Sequence, residues 1–304
     1  MEFTACFLGL GNMGAPMAAN LLKNHVKLFV YNRSKDKLKT LLDLGASALN
    51  SPAEAFVNAN IVFSMVANDQ ALIDITTGEN GILKNAKSGC IHVSMSTVSP
   101  KVCQDLTAKH REKGVQYLSC PVFGRPDVAE QHKLWICMAG EASAKKRVEP
   151  FLKFMGQKIY DFGELPEAAN AVKLSGNFLI LTIVEALAEA YAFAEKSGVE
   201  LKKLHTALAE SLFPSPVFQT YGNIIINSEY SPAGFKMSLG LKDMDLLLRS
   251  AEKVKVPLPI AGLLHDRLMS GLANEREEMD WSAIALTEFE EAGLLHHSEK
   301  SRGK

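Results

Sequence analysis

Three polar side chains recur at i, i+3 and i+7 in an otherwise apolar stretch: Asn170, Lys173 and Asn177. On a helix this spacing sets an ammonium between two carboxamides on one face. The neighbours Ala169, Ala171, Val172 and Leu174 are small or apolar, and burying a lysine is costly unless it has partners or a task. Carbonyl reduction would use it. Hydride delivered to a carbonyl carbon leaves an alkoxide, which a lysine protonates as general acid. Desolvation and a nearby positive charge lower a lysine's pKa, so the same amine can act as base in the reverse direction. Taken alone, the pattern also fits a solvated lysine on a helix surface.

A candidate holder for the hydride donor stands at the other end of the chain. Gly9, Leu10, Gly11, Asn12, Met13 and Gly14 make G-x-G-x-x-G directly after an apolar run and at the start of a helical pattern, the context that the motif needs. Gly9 allows the tight turn, Gly11 lets the backbone approach a pyrophosphate, and Gly14 lets the helix pack close to the strand. Unpaired amides at the helix N-terminus receive the anion.

The end of the second strand bears on which dinucleotide is bound. An NAD site places a carboxylate about 20 residues after the first glycines, on the ribose 2′-hydroxyl. Here the stretch reads Tyr31, Asn32, Arg33, Ser34, with Lys35 and Lys37 following. Arg33 can meet a 2′-phosphate with a planar fork of donors and Ser34 can add another; the other reading is a solvated, charged helix start. NADP(H) is the expected cofactor. Val66, Ala67 and Asn68 follow the third strand at the carboxyl edge of the sheet, where such folds bind ligands, and are expected cofactor contacts. Ser96 and Thr97 follow a later strand. Their hydroxyls suit the nicotinamide amide or a substrate oxygen, or else an ordinary helix cap before Pro100. Lys242 and Asp243 sit in a helical pattern and by themselves read as surface charges.

These residues need elements to position them. Apolar runs at 3–8, 27–31, 61–65, 91–93, 117–120 and 135–139 alternate with helical patterns at 16–23 and 35–44. That alternation indicates βαβ units, right-handed crossovers and a mostly parallel sheet. Beyond Asp161 only helical periodicity remains, beginning with one helix of ~30 residues from Ala168 to Ser197, about 45 Å long, and ending at Gly198. Such an apolar helix must be covered on several sides, by its own domain and by a partner subunit. Further helices are expected at 201–212, 216–227, 235–255, 259–271 and 281–291. The expected organisation is a Rossmann domain over 1–164, an all-α domain over 165–293 and a flexible tail over 294–304. The fold class is α/β, a doubly wound parallel sheet followed by helices.

Composition narrows the function. The 304 residues, 47% hydrophobic and 22% charged, suit two globular domains rather than a disordered or fibrous chain. Lys+Arg 33 against Asp+Glu 34 gives no basic field for nucleic acid or anionic lipid. The apolar run from Phe178 to Val184 stops at Glu185, short of the ~20 residues of a membrane span. The N-terminus has no basic opening segment, which argues against a signal peptide. Cys6, Cys90, Cys103, Cys120 and Cys137 form an odd set without C-x-x-C and read as buried reduced thiols, not a disulfide framework or metal site, in a cytoplasmic protein.

Phe7 through Met17, with Asn20 and Leu21, resembles the opening of the β-hydroxyacid dehydrogenase family, which includes 3-hydroxyisobutyrate dehydrogenases and NADPH-dependent glyoxylate and succinic semialdehyde reductases. Ser96-Thr97-Val98-Ser99-Pro100 is similar to the family's substrate and nicotinamide motif. Lys173 with Asn177 resembles its catalytic lysine and the asparagine a turn later. Phe235, Lys242 and Asp243 are similar to the second-domain segment that closes over the cofactor. The resemblance spans residues 3–290. It implies a first domain like the NADP-binding domain of 6-phosphogluconate dehydrogenase, a homodimer or homotetramer, and reversible oxidation of a short β-hydroxyacid. Lys173 and Asn177 would be catalytic, Lys242 a cofactor contact, and Ser96, Thr97, Phe123, Gly124, Arg125 and Asn170 would line the substrate. The Asn32–Ser34 stretch is similar to the NADPH-using reductases.

Two segments depart from the family. Members usually carry Ser-Gly-Gly after Pro-Val, a loop that holds the substrate carboxylate. Here Phe123, Gly124 and Arg125 follow Val122, so a hydroxyl is lost and Arg125 is a candidate clamp. The segment from Gly163 through Pro166 to Lys173 is a residue longer than usual, a spacing that resembles imine reductases. Imine or iminium reduction is therefore a second enzymatic expectation, and a non-catalytic cofactor-binding module a third.

Overall fold

In a computed structural model of the chain, residues 3–294 are described. They form two compact units that divide between Lys173 and Leu174. The first holds β1 (Thr4–Leu8), α1 (Gly14–Lys23), β2 (Lys27–Tyr31), α2 (Lys39–Asp43), β3 (Ser47–Ala48), α3 (Ala55–Asn58), β4 (Ile61–Ser64), α4 (Asp69–Thr77) and β5 (Ile91–Ser94). It continues with α5 (Pro100–Glu112), β6 (Gln116–Ser119), β7 (Val122–Phe123), α6 (Pro126–Glu130), β8 (Leu134–Gly140), α7 (Ala142–Lys153), β9 (Gly156–Asp161) and the first turns of α8 (Pro166–Lys196).

The strand order is β3-β2-β1-β4-β5-β6-β8-β7, with β9 on β8. Pairing is parallel from β3 through β6, whereas β8 runs antiparallel to β6 and β7. Chain order reverses at β1, between β2 and β4, which opens a crevice at the strands' carboxyl ends. The central strands read as unbroken apolar runs because helices cover both faces. Along β1, Ala5 and Phe7 enter one core with Leu21, Val30 and Phe63. Cys6 and Leu8 enter the other with Leu49, Phe56 and Val62.

Several elements differ from expectation. The strand β9 has no apolar run because four of its six residues are exposed, so periodicity misses it. The two-residue β3 and β7 are too short to leave a pattern. The expected helix over 35–44 is a 3₁₀ turn at Lys35–Leu38 followed by the short α2.

The second unit contains the rest of α8, α9 (Leu201–Glu210), α10 (Pro216–Asn227), α11 (Met237–Lys253), α12 (Pro259–Ala273) and α13 (Ile284–Glu291). Its core gathers Leu181, Val184, Tyr191, Tyr221, Trp281 and Phe289. The helix α11 starts at Met237, not Phe235, because Asp280 Oδ2 accepts from the amides of Gly234 and Phe235 and holds them in a bend ahead of the helix. The same carboxylate group caps the turn at Trp281 through Ser282. Among the described residues one helix, α8, is long and apolar enough to cross a membrane by length and composition. Its hydropathy averages across Glu185, which ends the contiguous run. Leu294, placed in the expected tail, is buried with its amide on the Phe289 carbonyl; residues 295–304 lie outside the described residues.

Candidate active site

The glycine loop connects β1 to α1. Gly9 has φ +92°, and a Cβ there would lie 2.2 Å from the Met65 carbonyl oxygen. A Cβ on Gly14 would lie 1.9 Å from the Gly9 oxygen. Both glycines are therefore required by the protein's own backbone. Gly11 is different, since a Cβ there would meet nothing within 4 Å. The cradle at Gly11 is open space that a side chain would fill and that a pyrophosphate needs. The first turn of α1 carries no acid and no side-chain cap, which leaves its amide dipoles for an anion. The loop thus fits a dinucleotide.

Some of the expected contacts are occupied in shaping the loops. Asn32 Oδ1 accepts from the Leu10 amide at 2.9 Å, and its Nδ2 donates to the Ser34 carbonyl. The Leu10 side chain is in the core, Asn12 is exposed and Met13 packs partly against the core. Arg33 and Ser34 are exposed at the end of β2.

At the next two strand ends, the Val66 amide donates to Ser96 Oγ at 2.8 Å. The Asp69 carboxylate accepts from both the amide and hydroxyl of Ser99, at 2.9 and 2.7 Å. These bonds tie the loop after β4 to the loop after β5. Asn68 caps α4 through the Ala71 amide, and Ser99, not Ser96 or Thr97, caps α5. Asp69 belongs to none of the sequence motifs; its one local signal is an acid at the first position of a helix.

Lys173 is 8% exposed, and its Nζ sits 4.3 Å from the centroid of the Phe123 ring. Phe123 packs with Ala168 and Val172 against Cys137, Ala139 and Ala169. Burial pushes the Cys137 thiol up to about 11, while the Lys173 charge pulls it the other way. Asn170 is fully buried and donates to Ser119 Oγ at 2.7 Å, which anchors the start of α8 to the end of β6. Gly124 has φ +143°, and Arg125 precedes α6 as its N-cap residue.

In the second unit, Asn177 Nδ2 donates to Asp243 Oδ2. Lys242 Nζ meets Asp243 Oδ1 at 2.9 Å. Asp243 is fully buried, which corrects its reading as a surface charge: the carboxylate joins an amide on α8 to an ammonium on α11. Among the described residues no group of three or more His, Cys, Asp or Glu is arranged to hold a metal ion.

Sheet order and glycine cradle together define a nicotinamide dinucleotide-binding oxidoreductase fold. The family described as the NAD binding domain of 6-phosphogluconate dehydrogenase matches residues 4–163. The NAD-binding family of NADP-dependent 3-hydroxyisobutyrate dehydrogenase matches residues 168–287. An uncharacterized oxidoreductase of Bacillus subtilis, YfjR, is 44% identical over 91% of this chain and 96% of its own length. The chloroplastic glyoxylate/succinic semialdehyde reductase 2 of Arabidopsis thaliana is 31% identical over 91% of this chain and 77% of its own. The solved 3-hydroxyisobutyrate dehydrogenase of Mycobacterium tuberculosis superposes with TM-score 0.86 at 26% identity, covering 94% and 99% of the two chains. The chain belongs to the β-hydroxyacid dehydrogenase family and is an oxidoreductase. An imine reductase from Pseudomonas sp. matches less closely, with TM-score 0.63 at 20% identity over 94% and 100% of the chains, so the carbonyl reading stands ahead of the imine one.

Proposed function

We propose that this chain is an NADPH-dependent reductase of a small aldehyde or keto acid, oxidising the β-hydroxyacid in reverse, with Lys173 as general acid and base. The observation that carries the reading is Lys173 itself, an amine kept 8% exposed on the helix that also bears Asn170 and Asn177. Burying an ammonium costs several kcal/mol, and proton transfer to a nascent alkoxide gives that cost a purpose. The bound nicotinamide supplies hydride. Gly9, Gly11 and Gly14 admit the pyrophosphate at the start of α1, with Leu10 and Asn32 fixing the loop. Arg33 and Ser34 meet the 2′-phosphate; no acid stands between Tyr31 and Lys35 to repel it. Ser96 and Thr97 orient the carboxamide and the substrate oxygen, and Asn177, held by Asp243, orients the lysine. Arg125 is the candidate clamp for a substrate carboxylate.

Purified protein assayed for NADPH consumption on short aldehydes, keto acids and cyclic imines tests the substrate class; turnover of imines alone overturns it. Lys173→Ala should lower kcat by roughly 10²- to 10⁴-fold while NADPH still binds. Unchanged turnover in that variant overturns the role of the lysine.

The same proposal extends to self-assembly as a homodimer or homotetramer. Leu179, Ile183, Ala186, Ala190 and Phe193 form one stripe on α8, with Leu179 59% and Phe193 75% exposed. Beside it lies an apolar groove of about 500 Å³ lined by Ile183, Ala190, Leu208, Phe213 and Phe218. An apolar face of that extent supports association through a protein interface.

A further inference from the structure

The ring beneath Lys173 is held firmly in place. Phe123 pairs with Trp135 across β7 and β8. Gly124 follows in a conformation that side chains rarely adopt, where a Cβ would lie 2.6 Å from Leu134 Cδ2. Arg125 then opens α6. The ring is thus presented from backbone fixed on both sides, and it packs against the apolar cluster of Cys137, Ala139 and Ala169. An aromatic face within about 6 Å attracts an ammonium through its quadrupole, more strongly as water is excluded. Unlike a carboxylate it is no base, so it favours the charged amine without competing for its proton.

We propose that Phe123 is the positioning residue of Lys173, its ring face holding the amine in the ammonium form and aimed as a proton donor. This rests on the reading of Lys173 as general acid. From β8 the titratable group facing the lysine is Cys137, whose thiol is pushed up to about 11 by burial and so stays neutral below that range. From β7 comes the ring, and on α8 itself Asn170 and Asn177 do not titrate. The ring favours the charged form over the neutral amine. Its removal therefore lowers the midpoint, and the alkaline limb of the reduction profile moves to lower pH.

The test is an NMR titration of Lys173 in protein carrying ¹³C at lysine Cε, the resonance assigned by its absence in Lys173→Arg. Phe123→Leu should lower the midpoint by roughly 0.5 to 1.5 units, and Phe123→Tyr should restore it. Pentafluorophenylalanine at position 123 keeps the shape while inverting the quadrupole, and it should lower the midpoint whether or not the leucine variant folds. A midpoint unmoved by pentafluorophenylalanine overturns the proposal. With an aldehyde that the wild type reduces, kcat should fall along the same shifted limb while the KM for NADPH stays within about twofold; an NADPH KM that rises alone also overturns it. Full turnover by Lys173→Ala would instead remove the general acid reading and leave the titration intact.

Discussion

Arg33→Ala removes a guanidinium that stands exposed at the end of β2. A charge-assisted bidentate contact to a phosphate contributes about 1.5–3 kcal/mol, so the variant should bind NADPH roughly 10- to 100-fold more weakly and NADH about as well as before. Isothermal titration with both cofactors checks this, and equal losses for the two would refute the 2′-phosphate assignment. Asn32, the residue directly after β2, belongs to a different class of residue. Both ends of its amide are used on backbone, one on Leu10 and one on Ser34, so its contribution is the shape of the glycine loop. The sequence sets Asn32 and Arg33 side by side at the end of β2, but only the folded structure separates the residue that holds the loop from the one that faces outward. The same holds for Ser96, read as a hydroxyl for the ligand and found accepting the Val66 amide.

At the scale of elements, β5 and α5 carry a feature with no local signature. Ser64, His92 and His110 form a buried chain, with 2.8 Å between Ser64 Oγ and His92 Nε2 and 2.9 Å between the two imidazoles. His110 Nδ1 lies 2.6 Å from the Leu106 carbonyl and must donate to it. That fixes the direction: His92 donates to His110, and Ser64 donates to His92, with both rings neutral. Burial holds His110 down to about 4, and burial and then the charge of His110 hold His92 well below its ordinary value. Folded-state values below the unfolded value of 6.5 mean that the unfolded chain takes up protons first. The stability from this pair is complete above pH 6.5 and is lost as pH falls from there toward 4. His110 alone should account for about 3 kcal/mol of that loss. His205, also held down by burial, adds to the trend, whereas Glu185, pushed up by burial, opposes it. Urea denaturation at steps between pH 7.5 and 4.5 checks the slope, and a flat profile would contradict it. Sequence periodicity found β5 but not α5, and it gave no hint of the histidine chain, because its bonds join residues 28 and 18 positions apart.

At the scale of the whole molecule, the stripe on α8 makes association testable. Replacing Leu179 and Phe193 together by Glu puts two charges on the exposed apolar face. Sedimentation velocity should show a dimer or tetramer for the wild type, as proposed, and a monomer for this variant; an unchanged distribution would move the interface elsewhere. The apolar periodicity of residues 3–93 announced the parallel sheet, since strands covered on both faces have no polar side to show. The glycine spacing announced the cofactor loop, and the run around Lys173 announced an unusual amine. These are local signals, set by backbone conformation and by which face meets the core. The partners were decided by tertiary structure alone: Phe123 under Lys173, Asp69 on Ser99, Asp243 between Asn177 and Lys242. Except for adjacent Lys242 and Asp243, each joins side chains tens of residues apart, and only folding sets their distance and burial, the two quantities that give an ammonium or a carboxylate its strength.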